Sequence, residues 1–312
     1  MLCPMIHTVT VNPALDLTFR VPEIKIDDKI RAREVYRAAG GNGVNVSRVA
    51  ARLGHPTVAM GFAGGRTGSE LTELLKAENV RTWFTHQNAS TRTNAIIHDD
   101  NNDQVRVSSP GATVEANEVA ALENAIFDLR APDFLVITGS LLKGMPEDFY
   151  LRVIRRAAEE GVAVVADVDR ELKEVVAAGV HLIKPNQYEL ARLTGQEVND
   201  HESAVAAARV ALESSVEVVV ASLGAQGAVL VTANEAWRAV PPQVKVDSAV
   251  GAGDSLLAGV LVAMAESKSW NEVLRLGVAC GTATAMTPGT DLCFKETIDE
   301  ILPQVSLEAL DL

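Results

Sequence analysis

Phe134-Leu135-Val136-Ile137-Thr138, Val162-Ala163-Val164-Val165-Ala166-Asp167, His181-Leu182-Ile183-Lys184 and Val216-Glu217-Val218-Val219-Val220-Ala221 are four short, β-branched runs separated by longer segments of helical period. The helical candidates around them are Glu115 to Leu129, Glu147 to Glu159, Glu171 to Ala177 and Glu202 to Glu213. Strands alternating with helices are the pattern of βα units around a parallel sheet. Helices cover both faces of such a sheet, so its strands read as unbroken apolar runs. The expectation is an α/β fold of three layers, α/β/α, with a mostly parallel central sheet.

The rest of the chain agrees with a globular α/β protein and removes several function classes. Its 312 residues carry 28 Lys and Arg against 41 Asp and Glu, a formal charge of −13, with 47% hydrophobic residues. A chain of this size buries about 75% of the surface it exposes when unfolded, so it needs no disulfide or metal to fold. Nucleic acid is not an expected partner, because phosphate backbones are held by clustered Lys and Arg and no such run occurs. A small anionic substrate stays open, since repulsion is screened beyond about 8 Å in physiological salt. Cys3, Cys280 and Cys293 form no C-x-x-C pair and have no histidine at ligand spacing, which reads as reduced thiols in a cytoplasmic protein. The N-terminal MLCPMIHTVTVNP has no charged segment followed by an apolar one, so no secretory signal is expected. The longest apolar stretch, Leu256 to Ala265, is about half a membrane span, and no membrane partner is expected.

The first hundred residues contain segments of another kind. Leu17 to Val21, Arg33 to Arg37, Thr93 to His98 and Gln104 to Ser108 alternate like half-exposed strands and are too polar for the centre of a parallel sheet. They read as a small sheet outside the core, a lid built from two excursions. The expected organisation is a core of residues 1–15, 38–85 and 109–312, with residues 16–37 and 86–108 as the lid.

Ser248-Ala249-Val250-Gly251-Ala252-Gly253-Asp254-Ser255, followed by an apolar helical run, is the strongest local signal for chemistry. Glycines directly before a helix let backbone approach a ligand, and the free N–H groups of the first turn form an anion site. Asp254 opposes a bound phosphate unless it takes a proton from a hydroxyl that attacks phosphorus, while the N–H groups absorb developing charge. An aspartate also caps helices well, so a purely structural role stays open at this point. The string is neither G-x-G-x-x-G nor G-x-x-x-x-G-K-[ST], which disfavours a dehydrogenase and a P-loop NTPase.

Four further strings, VNPALD (11–16), GGNGVNVSR (40–48), KPNQYEL (184–190) and SLGAQGA (222–228), stand with VPPQVKVDSAVGAGDS (240–255) and GTDLC (289–293) in one order and spacing. Together they resemble the PfkB family of carbohydrate kinases, with a ribokinase-like fold, over nearly the whole chain. Within the family the strings are most similar to the minor bacterial 6-phosphofructokinase, with 1-phosphofructokinase and tagatose-6-phosphate kinase as relatives. Asn42 stands where many of the latter two carry lysine, and Asp291 stands where a basic residue is usual.

The resemblance implies ATP-dependent phosphoryl transfer to a primary hydroxyl of a hexose phosphate, with fructose 6-phosphate as the expected acceptor. The alternatives are a 1-phosphofructokinase or tagatose-6-phosphate kinase, then a kinase of an unphosphorylated sugar or a nucleoside. It implies that Asp254 is the catalytic base and that Gly251, Ala252 and Gly253 form the anion hole. Asp16, Gly40, Gly41 and Asn45 would hold the sugar. Lys29, Arg92 and Arg106 on the lid would meet its phosphate, where an arginine fork binds in bidentate fashion. Lys184, Asn186, Ser222, Gly224, Gly227 and Ser248 would line the nucleotide side. Asn186 and Glu189, three residues apart, would organise Mg²⁺ around the phosphates, and K⁺ near Ser248 and Gly289 is a further implied cofactor. A homodimer through the lid is the implied assembly.

Overall fold

The computed structural model describes residues 5–101, 103–129 and 132–311. Cys3 lies outside them. Along the chain, β1 (Ile6–Thr10), β2 (Ala14–Val21) and β3 (Glu34–Gly40) precede α1 (Asn42–Arg52), β4 (Thr57–Ala63), α2 (Gly65–Ala77) and β5 (Arg81–His86). Next come β6 (Arg92–Asp99), β7 (Gln104–Ser108), α3 (Ala116–Asp128), β8 (Phe134–Thr138), α4 (Phe149–Glu159), β9 (Ala163–Asp167), α5 (Leu172–Ala177) and β10 (Val180–Ile183). Then follow α6 (Gln187–Thr194), α7 (His201–Leu212), β11 (Val216–Ser222), β12 (Ala228–Val231) and β13 (Ala236–Val240). The chain closes with α8 (Ala252–Ala265), α9 (Trp270–Ala285), α10 (Lys295–Ile301) and β14 (Ser306–Leu310).

A ten-stranded sheet in the order β14-β13-β12-β11-β10-β9-β8-β1-β4-β5 forms the middle layer. Every pair from β11 to β5 is parallel, and β12, β13 and β14 add an antiparallel edge. The period of two along each strand sends alternate side chains to opposite layers. Leu135 and Ile137 pack with α3, α4, α5 and α7, whereas Val136 between them packs with α1, α8, α9 and α10. Each fully buried Val, Leu or Ile contributes about 1.5–3 kcal/mol relative to exposure.

Leu256 to Ala265 lies within α8, whose close contact with α9 explains its apolar composition. A Cβ on Gly259 would stand 2.8 Å from the Leu276 carbonyl, and one on Gly277 would stand 2.7 Å from Val260. Among the described residues no helix is long and apolar enough to cross a membrane.

The second sheet has the order β3-β2-β6-β7. β2 pairs antiparallel with β3 and parallel with β6, and β6 pairs antiparallel with β7. All four alternating segments of the first hundred residues lie in it. Several elements are not apparent from pattern alone. β1 carries buried His7, Thr8 and Thr10 among its apolar residues, so it does not read as an apolar run. β5 and β14 are edge strands with mixed exposure.

Candidate active site

The ends of the parallel strands build the site, as open α/β sheets bind ligands beyond the carboxyl ends of their strands. Thr10, Thr138 and Asp167, the last residues of β1, β8 and β9, stand in one row by register. They line a cleft of about 350 Å³ together with Asn12, Gly41, Asn42, Arg92, Ser140 and Glu189. A second cavity of about 550 Å³ lies over the start of α8, walled by Ser222, Gly224 and Gly227 on one side and by Ala252, Gly253 and Leu256 on the other.

Gly251 has φ 78° and caps α8 in the left-handed region that glycine tolerates. Asp254 is the third residue of that helix and makes no capping hydrogen bond. It instead accepts a hydrogen bond from Asn45 Nδ2 at 2.7 Å, which removes the helix-cap explanation. The carboxyl is 9% exposed. Burial first, and the negative charge of Asp167 second, push its pKa up to about 7, against the opposing Asn45 hydrogen bond and the charges of Lys184 and Arg106.

Lys184 is buried and paired with Asp167 Oδ1 at 3.1 Å. Burial opposes its charge, but the carboxylates of Asp167, Asp254 and Glu189 outweigh burial and hold the ammonium above its ordinary pKa. Its Nζ lies 3.4 Å from where a Cβ on Gly253 would be, so the cation stands beside the glycine turn.

Asp16 lies inside β2, ahead of the Leu17 start that alternation alone gives. Pairing of Ala14 with both Gly40 and Arg92 begins the strand three residues earlier. Its Oδ1 accepts from Asn94 Nδ2 at 2.7 Å. Burial raises its pKa, while Asn94, Arg106, Arg92 and Arg48 pull it down. A Cβ on Gly40 would sit 2.3 Å from Asp16 Oδ2, so only glycine leaves room for this carboxylate.

Arg92 begins β6 and reaches the cleft, donating Nη1 to the Ser109 carbonyl at 3.2 Å, with Nε buried and unpartnered. Arg106 is exposed on β7, yet its charge is felt at both Asp16 and Asp254. Lys29 is not brought to the site. It lies on the exposed segment between β2 and β3, donates its backbone N–H to Asp28, and lines none of the cavities described. Ser248 is buried and donates to the Gly289 carbonyl at 2.7 Å, which stitches two loops together, and it does not line the cavity over the start of α8.

Asn186 caps α6, accepting from Tyr188 and Glu189 N–H, while Glu189 Oε2 accepts from the Asn186 N–H at 2.8 Å. This reciprocal capping box leaves Glu189 at the cleft wall, with its pKa raised by burial. Among the described residues no three acidic, histidine or cysteine side chains are grouped to cage a metal. The oxygen donors Asp167 and Glu189 at a cleft fit an ion such as Mg²⁺, which keeps waters and substrate phosphates among its ligands.

Asp167, Asn94, Asn12 and Ser140 are absent from the sequence-based candidates. Asp167 had a signal, as the polar end of a buried strand. Asn94 had none, because only pairing across the lid brings it to Asp16.

A family model for "pfkB family carbohydrate kinase" matches residues 9–298. The ATP-dependent 6-phosphofructokinase isozyme 2 of Escherichia coli K12 is 35% identical, covering 96% of this chain and 99% of that one. The 1-phosphofructokinase of Bacillus subtilis is 31% identical over 98% and 100%. Crystal structures of Escherichia coli phosphofructokinase-2 in complex with fructose-6-phosphate and with potassium share the fold with TM-scores of 0.90 and 0.91, at 33% and 35% identity. Each covers 96% of this chain and 99% of its own. Arabidopsis thaliana ribokinase, at 21% identity and a TM-score of 0.73 over 96% and 99% of the two chains, shares the fold alone. With the glycine turn, its carboxylate and the two flanking cavities in one fold, the chain belongs to the pfkB family of carbohydrate kinases.

Proposed function

We propose that this kinase transfers the γ-phosphoryl group of ATP to the C1 hydroxyl of fructose 6-phosphate. The observation that carries the reading is Asp254, a buried carboxylate with a pKa near 7 in the first turn of α8, one residue after Gly253 of the cavity wall and hydrogen-bonded by Asn45. At that pKa the group is ionised in a large fraction at neutral pH and still basic enough to take a proton.

In the proposed step the sugar oxygen forms a bond to the γ-phosphorus, its proton passes to Asp254, and the bond from phosphorus to the bridging oxygen breaks to release ADP. The N–H groups of Gly251, Ala252 and Gly253 and the Lys184 ammonium stabilise the charge on the transferred group. Asp16, held by Asn94, accepts hydrogen bonds from sugar hydroxyls, and Gly41 and Asn45 complete that wall. Arg92 binds the resident phosphate, joined by Arg106 and Lys29 when the lid closes, which excludes water. Mg²⁺, when bound, neutralises nucleotide phosphate charge, and Asp167 and Glu189 would hold it through its waters, with Asn186 fixing Glu189. Ser222, Gly224 and Gly227 line the nucleotide cavity, and Ser248 acts through the Gly289 loop, where K⁺ would bind. Residues 16–37 and 86–108 act as the lid.

The outer face of that lid carries Leu17, Phe19, Val35, Ala95, Ile97, Val105 and Val107 in cross-strand rows. Val35, Val105 and Val107 are 51%, 41% and 57% exposed. A second copy of the chain is the proposed occupant of this apolar face, since a two-fold dimer pairs the same patch with itself. The buried, unbridged thiols Cys280 and Cys293 accord with a cytoplasmic enzyme.

The reading is tested by ADP release across fructose 6-phosphate, fructose 1-phosphate, tagatose 6-phosphate, ribose, fructose and adenosine. Fructose 6-phosphate is expected to give the highest kcat/KM. A higher value for an unphosphorylated acceptor refutes the assigned substrate class.

A further inference from the structure

β2 and β6 run in parallel register, with Asp16 beside Asn94, Thr18 beside Ile96 and Arg20 beside His98. Alternate residues share a face, so these form one row on the inner side of the lid. The near half of that row, Asp16 and Asn94, belongs to the candidate active site. The distal half, Thr18, Arg20 and His98, closes a different cavity of about 360 Å³ against Arg48 and Arg52 of α1 and residues 288–291. No residue lining it lines the sugar cleft or the nucleotide cavity.

Its wall is rich in donors and has no uncommitted carboxylate. Four arginines, Arg20, Arg37, Arg48 and Arg52, share it with Glu78 and Asp291. Glu78 takes Arg48 at 2.8 Å through one oxygen and Arg52 at 3.0 Å through the other. Asp291 Oδ1 takes Arg52 at 3.3 Å and the Leu292 N–H at 2.8 Å. Arg37 pairs outward with Glu70. His98 is 2% exposed, and neither ring nitrogen has a hydrogen-bond partner. Asp247 Oδ1 stands 3.9 Å from its Nε2, beyond hydrogen-bond reach. Buried polar groups are normally partnered, so an orphaned imidazole on a cavity wall marks a place where a ligand atom belongs. The Thr18 and Thr290 hydroxyls meet beside it at 3.3 Å, one from the lid and one from the core.

We propose that this cavity is a second, non-catalytic site for a small oxyanion, inorganic phosphate or a phosphate monoester, held by Arg20 and His98 with the Thr18 and Thr290 hydroxyls. An oxyanion offers only acceptors, which is what a donor-rich wall requires, and a guanidinium fork meets two of its oxygens at once. A ligand there ties lid strands β2 and β6 to the 288–291 loop, whose Gly289 carbonyl accepts the Ser248 hydroxyl just ahead of the glycine turn. It acts on lid closure without touching the reacting groups.

The test is equilibrium dialysis of radiolabelled inorganic phosphate against the full chain, with a non-hydrolysable ATP analogue present to fill the nucleotide cavity and no sugar phosphate, which as a monoester would compete with the label. The expected result is a bound phosphate that is weakened roughly tenfold or more in Arg20→Ala, as loss of a charged hydrogen-bonding partner requires. Arg92→Ala is expected to leave it unchanged. Glycerol 3-phosphate displacing the label assigns the site to monoesters, and failure to displace it assigns the site to inorganic phosphate. Absence of bound phosphate, equal binding in Arg20→Ala, or loss in Arg92→Ala alone overturns the proposal, the last because it places the anion in the sugar cleft. His98→Gln, which keeps a donor but loses the ring, is expected to weaken binding as well.

Discussion

At Asp254 a proposed catalytic role and a cost to folding meet in one side chain, and its raised pKa links them. A base with a pKa near 7 makes kcat/KM fall about tenfold per pH unit below that value and level off above it. A pH–rate profile that is flat from pH 5.5 to 8.5 overturns the assignment. Asp254→Asn is expected to lower kcat roughly 10²- to 10⁴-fold with KM values nearly unchanged. The same substitution has a stability consequence of opposite sign. A folded pKa near 7 against a model value of 3.8 means that the native state favours the proton, so its stabilising effect is full below about pH 4 and lost as pH rises through 7. Asparagine has no such loss. Asp254→Asn should therefore be more stable than wild type at pH 8, by up to roughly 4 kcal/mol, and similar to it near pH 4. Thermal melts at the two pH values read this directly. At Arg92 the expectation concerns binding. Arg92→Ala raises the KM for the sugar phosphate far more than that for ATP, and equal effects on both count against the contact.

At the scale of elements, the strand-to-helix junctions hold the chemistry because backbone must approach closely there. Gly40 ends β3 with its hydrogens against Asp16, and a methyl group in that place would overlap the carboxylate. Gly40→Ala is thus expected to displace Asp16 and raise the sugar KM by about tenfold or more, while the melting temperature changes little because the backbone there is ordinary extended chain. Gly251→Ala differs. Its φ of 78° strains an alanine, and the new Cβ would stand 2.6 Å from Leu292, so stability falls by about 1–3 kcal/mol together with kcat. A kinetic defect in Gly251→Ala without any loss of stability contradicts this account. The capping box Asn186 to Glu189 shows a local device serving the site. It satisfies the first N–H groups of α6 and in the same geometry fixes a carboxylate at the cleft wall.

At the scale of the molecule, the three-layer core carries the groups proposed to react, Asp254 and Lys184, and a separate four-stranded sheet carries Asp16 and Arg92, proposed to hold sugar and phosphate. On that proposal, closure of one over the other is the motion on which turnover depends. If the lid's outer face is the interface, Val107→Glu places a charge in an apolar seam and yields monomers by sedimentation, with a raised sugar KM because the lid loses its support. Unchanged sedimentation in that variant removes the interface from the lid. Val107 lies outside both cavities of the site, so its effect cannot arise by direct contact with substrate.

The α/β class, the small separate sheet and the glycine turn before α8 were legible in the residues because each rests on short-range physics. Apolar runs of strand length, period-two alternation and glycine's access to left-handed backbone act within a few positions of each other. Asn186 and Glu189, three residues apart, drew notice through the family resemblance, and the structure shows them as a reciprocal capping box. What no local pattern contains is the meeting of Asp254 with Asn45, 209 residues away, or of Asp16 with Asn94, 78 residues away across a parallel pair. Those contacts depend on strand register and on helix packing over the sheet, which burial of many side chains jointly decides. The pKa near 7 of Asp254 is likewise a property of the folded chain alone, since the loss of water and the approach of the Asp167 charge that produce it vanish on unfolding.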